Sequence, residues 1–582
     1  MMAEMEKPKV DPVTTEIIRN ALVSAAEEMN AALTRSAYSL SIYEMKDCSV
    51  GLFDEEGEVL GQASGLPIFL GNLGEAIRVT TAKYGRDAYR EGDAYILNDS
   101  YLCGTHLGDV TIFSPVFYQG DLVGFAATRA HWIDVGAKDP AVSVDSTEIF
   151  QEGIRLGPTR LCQDYRVIRD IADILAANTR FPRNVMGDMN AQIAACRTGE
   201  ARFKDIIRKY GLATVREAVR NVFDQCERLD REAVEKVPDG EYEAEGCLDN
   251  DGHDYDQPVP VKVKVVVQGS DMTIDLTGSS PQRQGATNCG LAQTISACRV
   301  AFKFLFNSDF PVTGGTFRNL KVVVPKGSMF AAEPPAACQW YYTALGLLID
   351  LVIKALAPVL PDRTAAAHFG DSMVVWCSGT DPRNGARWLH AEITAGGWGG
   401  SLRGDGESAL VNAVNGEHRN LPVEVLENKF PIRILEYGLR RDSAGPGRYR
   451  GGLGVVRRYQ FRAPASLSTW FERSRTPAWG LLGGGDAARP QVVVKEGQPG
   501  QRTLLKVNML PVEAGDLVTA MTGGGGGYGS PLVRDPAAVR EDVLEGFVSP
   551  EAAERDYGVV LDPVTMEVDE EATARLRAAR RA

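Results

Sequence analysis

Several patterns that often reveal the class of a protein are missing from this chain of 582 residues. Its ten cysteines contain no Cys-x-x-Cys pair. A chain of this length can bury a core without disulfides, so we expect free thiols in a reducing cytoplasm. Acidic residues outnumber basic ones, and the net charge is −14. A nucleic acid is therefore not an expected partner, because binding to phosphates requires a basic surface.

The sequence also lacks an uninterrupted apolar run long enough to predict a membrane helix. Its most apolar stretch, LGLLIDLVIKALAPVL, contains Asp350 and Lys354 and is closed by Pro358, so it predicts a buried helix over 343–357. The first residues, MMAEMEKPKV, have no apolar segment of the kind found in signal peptides. We therefore expect a cytoplasmic protein. A Gly-x-x-x-x-Gly-Lys-Ser/Thr phosphate loop is missing too, so ATP would have to bind elsewhere.

Three regular patterns predict secondary structure. Apolar residues recur about every 3.6 positions over Thr14–Leu33, which predicts a long helix that begins after Asp11. A stretch rich in Ala, Arg and Glu, from Asn184 to about Asp230, predicts two or three more helices. Apolar and mostly charged residues alternate over Val261–Val267, as in a strand with one buried face.

The clearest hairpin joins VTIFSPVFY to LVGFAATRA through the turn Gln119-Gly120-Asp121. If the turn is symmetric, paired residues have numbers that sum to about 239 or 240, within cross-strand reach. Asp109 then lies opposite residue 130 or 131. The hairpin therefore predicts that Asp109 and His131 meet at its open end.

His106 stands three residues before this hairpin, in the loop NDSYLCGTHLGD. Gly104 and Gly108 should let the loop bend sharply, so that His106 joins Asp109 and His131. Imidazole nitrogens and carboxylate oxygens are ligands of Zn, Mn and Fe(II), and metal-bound water is a nucleophile near neutral pH. A hydrogen bond within the loop and a buried core histidine would explain the same pattern. The spacing leaves both interpretations open and identifies no fourth ligand.

Longer motifs carry a resemblance to a known family. They are DPVTTEIIRNALVSAAEEM, KDCSVGLFDEEGEV, GDAYILNDSYLCGTHLGDVTIFSPVF, RAHWIDVG, LPVEVLENKFPIRILEYGLRRDSAGPGRYRGGLGVVRRYQF and GGGGGYGSPLVRD. Together they resemble the hydantoinase B/oxoprolinase family over nearly the whole chain. That family includes B-type subunits of ATP-dependent N-methylhydantoinases, lactamases such as caprolactamase, oxoprolinases, and subunits of acetone and acetophenone carboxylases.

The resemblance implies a metal site with four ligands. Members of the family that hold a metal bind it through an Asp on the early hairpin, the His and Asp of GTHxxD, and the His of RAH. The matching residues here are Asp47, His106, Asp109 and His131. We expect one divalent transition metal, with Zn²⁺ favoured over Mn²⁺.

Four further residues near this site have candidate roles. Many relatives read RAHHxDVG where this sequence has RAHWIDVG, so Trp132 either fills the core or stacks on a flat substrate ring. Glu148 is a candidate catalytic residue, acting as a general base or beside the metal ligands, and Glu152 is the alternative. Asp134 is expected to orient a histidine that binds the metal.

The resemblance also implies that two subunits share the reaction. An A-type subunit with an actin/hexokinase-like fold would hold ATP and Mg²⁺ and phosphorylate the amide oxygen of the substrate. Hydroxide on the metal of this chain would then attack the activated carbon of a hydantoin, N-methylhydantoin, oxoproline or lactam ring. Two alternatives remain: a subunit of an ATP-dependent ketone carboxylase, and a non-catalytic scaffold for the A-type subunit.

The predicted architecture is α+β, mixed and multi-lobed. Its five expected parts are an amino-terminal metal-binding α/β region (1–160), a helical insert (161–237), a mixed core (238–420), a β-rich, glycine-rich lobe (421–534) and a charged helical tail (535–582). In the lobe, the run GGGGGY at Gly523–Tyr528 lacks the lysine and the helix of a phosphate loop. We expect it to form a tight turn or a subunit contact.

Overall fold

The computed structural model describes residues 10–581. The first nine residues, on which most of the signal-peptide prediction rests, and residue 582 lie outside that range. The helices are α1 Pro12–Ser36, α2 Leu40–Tyr43, α3 Pro67–Leu70, α4 Leu73–Tyr84, α5 Arg169–Ala177, α6 Pro182–Tyr210, α7 Leu212–Val234, α8 Leu291–Leu305, α9 Tyr341–Leu356, α10 Val423–Lys429, α11 Pro536–Leu544, α12 Pro550–Tyr557 and α13 Glu570–Arg581.

The strands follow the same chain order and alternate with the helices. They are β1 Cys48–Phe53, β2 Val59–Gln62, β3 Ala94–Leu97, β4 Asp109–Tyr118, β5 Asp121–His131, β6 Thr159–Gln163, β7 Arg166–Val167, β8 Gly240–Leu248, β9 Val259–Gln268, β10 Asp271–Asp275, β11 Leu320–Val323, β12 Val374–Thr380, β13 Arg387–Glu392, β14 Ile432–Leu439, β15 Val455–Phe461, β16 Ala465–Trp470, β17 Gln491–Val494, β18 Arg502–Leu504, β19 Val507–Val512 and β20 Leu517–Met521. The predicted mixture of helices and sheets is confirmed.

The chain forms two compact units, and each is built from several segments. The first unit comprises the chain up to Glu241, Lys264–Tyr341 and Val414–Arg419. The second unit comprises Tyr242–Val263, Tyr342–Ala413 and the chain from Asn420. These units do not coincide with the five predicted regions. The region expected to be a helical insert belongs to the first unit, because the buried faces of α1 and α6 share one core with its sheet.

The first unit contains an antiparallel seven-stranded sheet in the order β2-β1-β5-β4-β3-β6-β7. This part is therefore α+β and not α/β, since α/β folds have parallel strands. Helix α1 confirms the helix predicted over Thr14–Leu33, and its Asp11 side chain accepts hydrogen bonds from the first turn. The hairpin of β4 and β5 pairs Asp109 with His131, one of the two partners that turn symmetry predicts, after a register shift between Val116 and Phe117.

The valine-rich alternation is confirmed as β9, whose residues are buried and more exposed in turn. The chain also contains two smaller sheets, β13-β12-β16-β19 and β14-β15-β20-β17-β18, and a four-stranded sheet in the order β11-β10-β9-β8. The predicted buried helix over 343–357 is α9, whose apolar side chains are almost fully buried. Helices α11, α12 and α13 confirm the helical tail. Among the helices from residue 10 to residue 581, none combines the length and apolarity needed to cross a bilayer.

The run Gly523–Gly527 is a buried segment of the second unit that forms no turn, so the expectation of a tight turn is wrong, and its burial leaves little surface for the alternative, a subunit contact. Its amide groups donate to carbonyl oxygens of other segments, including Gly452, Ala367 and Gly485. A Cβ atom added at any position from Gly524 to Gly527 would lie within 2.1 Å of a neighbouring carbonyl oxygen. Glycine is therefore required there because several backbones approach one another closely.

Candidate metal centre

Three candidate ligands converge at the open end of the β4–β5 hairpin. Asp109 is the first residue of β4, and His131 is the last residue of β5. The Nδ1 atom of His131 lies 3.0 Å from Asp109 Oδ1, and Nδ1 of His106 lies 3.3 Å from Asp109 Oδ2. One potential ligand atom of each residue lies within 4.8 Å of the other two. The predicted convergence is confirmed, whereas the metal itself stays a prediction.

Two glycines make this convergence possible, although not by the mechanism expected from the sequence. Neither Gly104 nor Gly108 has a positive φ angle. A Cβ at Gly104 would lie 2.3 Å from the Asn98 carbonyl oxygen, and one at Gly108 would lie 3.0 Å from His131 Cε1. The loop therefore requires glycine because its backbone and the histidine rings approach closely, and not because it bends into the left-handed region.

Asp47 lies beside this cluster, immediately before β1. Its carbonyl oxygen accepts a hydrogen bond of 3.0 Å from the backbone amide of His131. Its carboxylate does not belong to the group of ligand atoms that lie within 4.8 Å of one another. Asp47, the fourth ligand that the resemblance implies, therefore lies beside the compact group of three ligands and not within it.

His418 faces the carboxylate of Asp47 and was not identified from the sequence. Its Nδ1 atom lies 3.8 Å from Asp47 Oδ2, and its side chain is 2% exposed. The segment that carries it is fixed to the first unit by two backbone bonds, from Arg419 to Met45 and from Ile68 to Val414. No local spacing could have identified His418, because the chain returns to this site only after it has formed part of the second unit.

Tyr341 is the second contributor that sequence reasoning missed. Its hydroxyl donates to Asp109 Oδ2 over 3.4 Å, and its ring lies 5.6 Å from the ring of His106. Thr105 donates a hydroxyl hydrogen bond to the same carboxylate oxygen. Asp109 is thus oriented by hydroxyl groups as well as by histidines. This is the arrangement in which a ligating carboxylate is held by its neighbours.

The charges of the cluster depend on its burial. Burial lowers the pKa of His106 to about 4, so this imidazole is neutral near pH 7. Burial opposes the ionisation of Asp109, but the neighbouring His106 and a hydrogen bond from His131 outweigh it and lower the pKa of the carboxyl. Burial raises the pKa of Asp47 to about 7, although His131 acts against this shift. An ionised Asp109 beside a neutral imidazole favours the binding of a cation.

Comparison with known proteins assigns the chain to a family. The family model described as hydantoinase B/oxoprolinase matches residues 11–531. The chain belongs to the hydantoinase B/oxoprolinase family. The B subunit of the putative D-/L-hydantoinase of Pseudomonas sp. (strain NS671) is 34% identical to it, over 98% of each chain. The beta subunit of the Pseudomonas jessenii caprolactamase is 30% identical, over 98% of this chain and 99% of its own.

Two solved structures share the fold of this hydantoinase B/oxoprolinase protein. The crystal structure of ATP-dependent caprolactamase from Pseudomonas jessenii has a TM-score of 0.92 at 29% identity, over 98% of this chain and 100% of that chain. A nucleotide-free structure of acetone carboxylase has a TM-score of 0.88 at 20% identity, over 98% of this chain and 83% of that chain. The second likeness shows the fold alone.

The donor set of this family member fits a divalent transition metal. It offers two imidazoles and one carboxylate within 4.8 Å, with a second carboxylate adjoining. Within residues 10–581 the Nδ1 atom of His106 is buried and makes no hydrogen bond; its one polar contact is the Asp109 carboxylate at 3.3 Å. A neutral imidazole is the form that binds metals, and a buried acceptor without a donor carries a desolvation cost that a bound cation would remove. The observed chemistry therefore agrees with Zn²⁺ or Mn²⁺.

The remaining predicted residues lie outside the cluster. Trp132 is 2% exposed, and its Nε1 donates to Gln192 Oε1 over 2.8 Å, so it fills the core and does not offer a face to a substrate. Asp134 binds the guanidinium of Arg180 over 2.8 Å, so the expectation that it orients a ligand histidine is wrong. The side chain of Glu148 is exposed.

Glu152 is the buried member of the glutamate pair, at 1% exposure. It accepts hydrogen bonds from the backbone amides of Cys338 and Gln339. These amides precede Tyr341 by three and two residues, so Glu152 anchors the segment that delivers the tyrosine to Asp109. The structure thus gives Glu152 a positioning role and gives Glu148 no contact with the cluster among the described residues.

Proposed function

We propose that this protein is the B-type component of an ATP-dependent hydrolase that opens the ring of a cyclic amide. The observation that carries the proposal is the buried cluster of His106, Asp109 and His131. It occurs in a chain that matches named hydantoinase and caprolactamase subunits over 98% of its length. Hydantoin, N-methylhydantoin, 5-oxoproline and lactams are the candidate substrates.

In this proposal, His106, Asp109 and His131 hold one divalent transition metal, with Asp47 as the fourth ligand. A divalent cation there would supply Lewis-acid polarisation of a carbonyl or phosphoryl oxygen and would lower the pKa of water. Zn²⁺ is the favoured ion and Mn²⁺ the alternative, because imidazole and carboxylate donors accept both.

The residues around the candidate ligands orient them and shield them from water. Thr105 and Tyr341 fix the carboxylate of Asp109 through their hydroxyl groups. His106 and Asp109 are nearly fully buried. Exclusion of water strengthens electrostatic interactions with a bound substrate and limits competing hydrolysis of a reactive intermediate.

ATP and Mg²⁺ are assigned to a partner subunit of the A type, with an actin/hexokinase-like fold. The chain contains no phosphate loop of the Gly-x-x-x-x-Gly-Lys-Ser/Thr kind. Both sequence relatives are named as subunits, and the caprolactamase is described as ATP-dependent. Phosphorylation of the amide oxygen by the partner would make ring opening favourable, and the site on this chain would then receive the activated carbon.

The proposed function is tested by co-expression with an A-type subunit from the same organism, followed by a screen of the four ring types. We expect ATP hydrolysis that depends on one cyclic amide and yields the opened product. If ATP were consumed only with a ketone and bicarbonate, the protein would be a carboxylase subunit and the proposal would be wrong.

The metal site is tested separately by Asp109→Asn. Loss of the carboxylate should reduce the metal content, measured by elemental analysis. It should also reduce turnover by at least about 100-fold. The matched control is His253→Ala, which removes an exposed histidine of the second unit and should change neither quantity. Full activity of Asp109→Asn in an intact complex would support the scaffold alternative instead.

A further inference from the structure

A cavity lies in the first unit and is separate from the candidate ligands. It encloses about 200 Å³ between α4, α8 and the loop that precedes β4. Its polar lining includes Asn72, Arg78 and Arg299, and its apolar lining includes Val59 and Ile295. None of the four candidate metal ligands lines it.

Two side chains that line this cavity, Asn72 and Arg299, have N–H groups that make no hydrogen bond to other groups within residues 10–581. The Asn72 side chain is 4% exposed, and its Oδ1 accepts from Arg129, but its Nδ2 is buried without a partner. Arg299 makes one side-chain hydrogen bond, of 2.7 Å, to the carbonyl oxygen of Gly71. Within residues 10–581, no carboxylate lies within ion-pair distance of Arg299. A guanidinium has five N–H donors, so most of those on Arg299 remain available.

The acidic side chains of the cavity are arranged differently. Glu75 and Glu58 lie 2.9 and 3.2 Å from Arg78, and both are more than one-third exposed. They therefore stand toward solvent, and they already compensate the charge of Arg78. Burial and then the nearby Arg78 cation lower the pKa of Arg299. Glu58 and Glu75 act on Arg299 in the opposite sense, but their ion-pair contacts are with Arg78. The cavity thus combines a cation that has no carboxylate in direct contact with two carboxylates that are paired to a neighbouring cation.

We propose that this cavity binds a small aliphatic amino carboxylate. The carboxylate would accept from Arg299 and from Asn72 Nδ2, which satisfies both donors. The ammonium group would lie near Glu58 and Glu75, and the aliphatic chain would contact Val59 and Ile295. A zwitterion matches the two signs of charge, whereas a simple cation would leave the spare N–H donors of Arg299 without an acceptor.

A bound ligand would touch the loop that carries His106. Tyr101 and Leu102 line the cavity and precede His106 by five and four residues. Asn72 also reaches this loop indirectly, because Arg129, its hydrogen-bond partner, donates to the carbonyl oxygen of Cys103 over 2.7 Å. Opening of a lactam gives an amino carboxylate, so under the proposed function this would be a product site. The binding itself is argued from the cavity alone.

The test is isothermal titration calorimetry of the full-length protein, in the assembly in which it is isolated and without ATP. The probes are 6-aminohexanoate, hexanoate and hexylamine. We expect saturable binding of 6-aminohexanoate at one site, weaker binding of hexanoate and no binding of hexylamine. Arg299→Gln should weaken binding by about tenfold or more, because a hydrogen bond to a charged group is lost.

The matched control is Arg318→Gln. Arg318 lies 5.6 Å over the ring of Phe223, just as Arg299 lies 5.6 Å over the ring of Phe317, but it does not line the cavity. Its replacement should leave binding unchanged. If Arg299→Gln fails to fold, Ala292→Leu fills the cavity from another position on α8 and should also abolish binding.

Three results would overturn the proposal. They are no saturable binding of 6-aminohexanoate by the unaltered protein, undiminished binding by folded Arg299→Gln, and equal binding of hexylamine. None of them depends on turnover of a cyclic amide. Failure of this site and failure of the proposed function are therefore distinguishable.

Discussion

Trp132 replaces a second histidine of the RAHHxDVG pattern, and its surroundings show what the replacement does. Its indole N–H donates to Gln192, whose own amide group donates to the Val110 carbonyl oxygen over 2.9 Å. The tryptophan thus ties β5 to α6 inside the core. A structural role for Trp132 follows from this contact.

Trp132→Phe should therefore lower the free energy of unfolding by about 1–3 kcal/mol, because it leaves Gln192 Oε1 buried without a donor. Metal content should not change. Chemical denaturation measures the first quantity. Trp388→Phe is the matched control: Trp388 is 6% exposed, but its Nε1 has no partner to lose, so its replacement should cost less. Equal losses in the two variants would contradict this account.

Glu152 makes the stability of the first unit depend on pH. Burial raises the pKa of its carboxyl from 4.5 to about 8, although two backbone amides favour the ionised form. The folded state therefore binds a proton that the unfolded state releases between these two pH values. Stability contributed by the protonated form is lost as pH rises through this window.

Glu152→Gln should remove this dependence, because the amide keeps the acceptor oxygen and carries no charge. The variant should be more stable than the unaltered protein by up to a few kcal/mol at pH 8, and the difference should shrink toward pH 5. Thermal unfolding midpoints measured from pH 5 to pH 8 check this. Glu148→Gln, an exposed neighbour, should show no such trend. A constant difference at every pH would be inconsistent with titration of Glu152.

At the scale of elements, the β4–β5 hairpin carries the site, and its turn together with the register shift after Val116 sets the pairing. Gln119 and Gly120 have φ angles of 54° and 92°, the positive values required of both central residues in a type I′ turn. A Cβ added at Gly120 would meet no atom within 4 Å, so only the backbone conformation resists a side chain there.

Gly120→Ala should therefore destabilise the hairpin by about 1 kcal/mol, while Gln119→Asn should stabilise it slightly, because asparagine tolerates the left-handed region. Chemical denaturation of both variants gives the two signs. Metal content should be unchanged in each, since the register is also fixed by β1. Destabilisation by both substitutions would show that the turn has another conformation.

The same hairpin explains how much of the site could be predicted. Turn symmetry places Asp109 opposite residue 130 or 131, and a bulge between Val116 and Phe117, which the sequence does not reveal, selects His131. His106 follows from its short loop, whereas Asp47 required the family resemblance. Tyr341 and His418 could not be found, since long-range packing brings them to the site. The helices between residues 161 and 237 were predicted, but their packing against α1 and the surroundings of Gly523–Gly527 were not, because the segments that surround them are distant in sequence.

At the scale of the whole molecule, the ten cysteines report on the integrity of both units. All are free, nine are buried, and Cys247 is half-buried. Burial raises the pKa of the Cys48 and Cys103 thiols to about 12, which suppresses the reactive thiolate.

The folded protein should therefore present at most one rapidly reacting thiol to Ellman's reagent, namely Cys247, and all ten after denaturation. Cys247→Ser should remove the rapid phase. Absorbance at the thionitrobenzoate band gives the count. Several fast thiols in the native state would mean that one of the units opens in solution.

The buried glycine run has a consequence for how this gene can change. Most core positions accept substitutions that preserve volume and polarity. At Gly524–Gly527 even the smallest side chain is too large, because an added Cβ would lie within 2.1 Å of a carbonyl oxygen. Glycine codons change silently only at the third base. After random mutagenesis, variants that still fold should therefore carry only synonymous changes in these four codons. Neutral amino-acid substitutions at these positions should be almost absent in evolution as well.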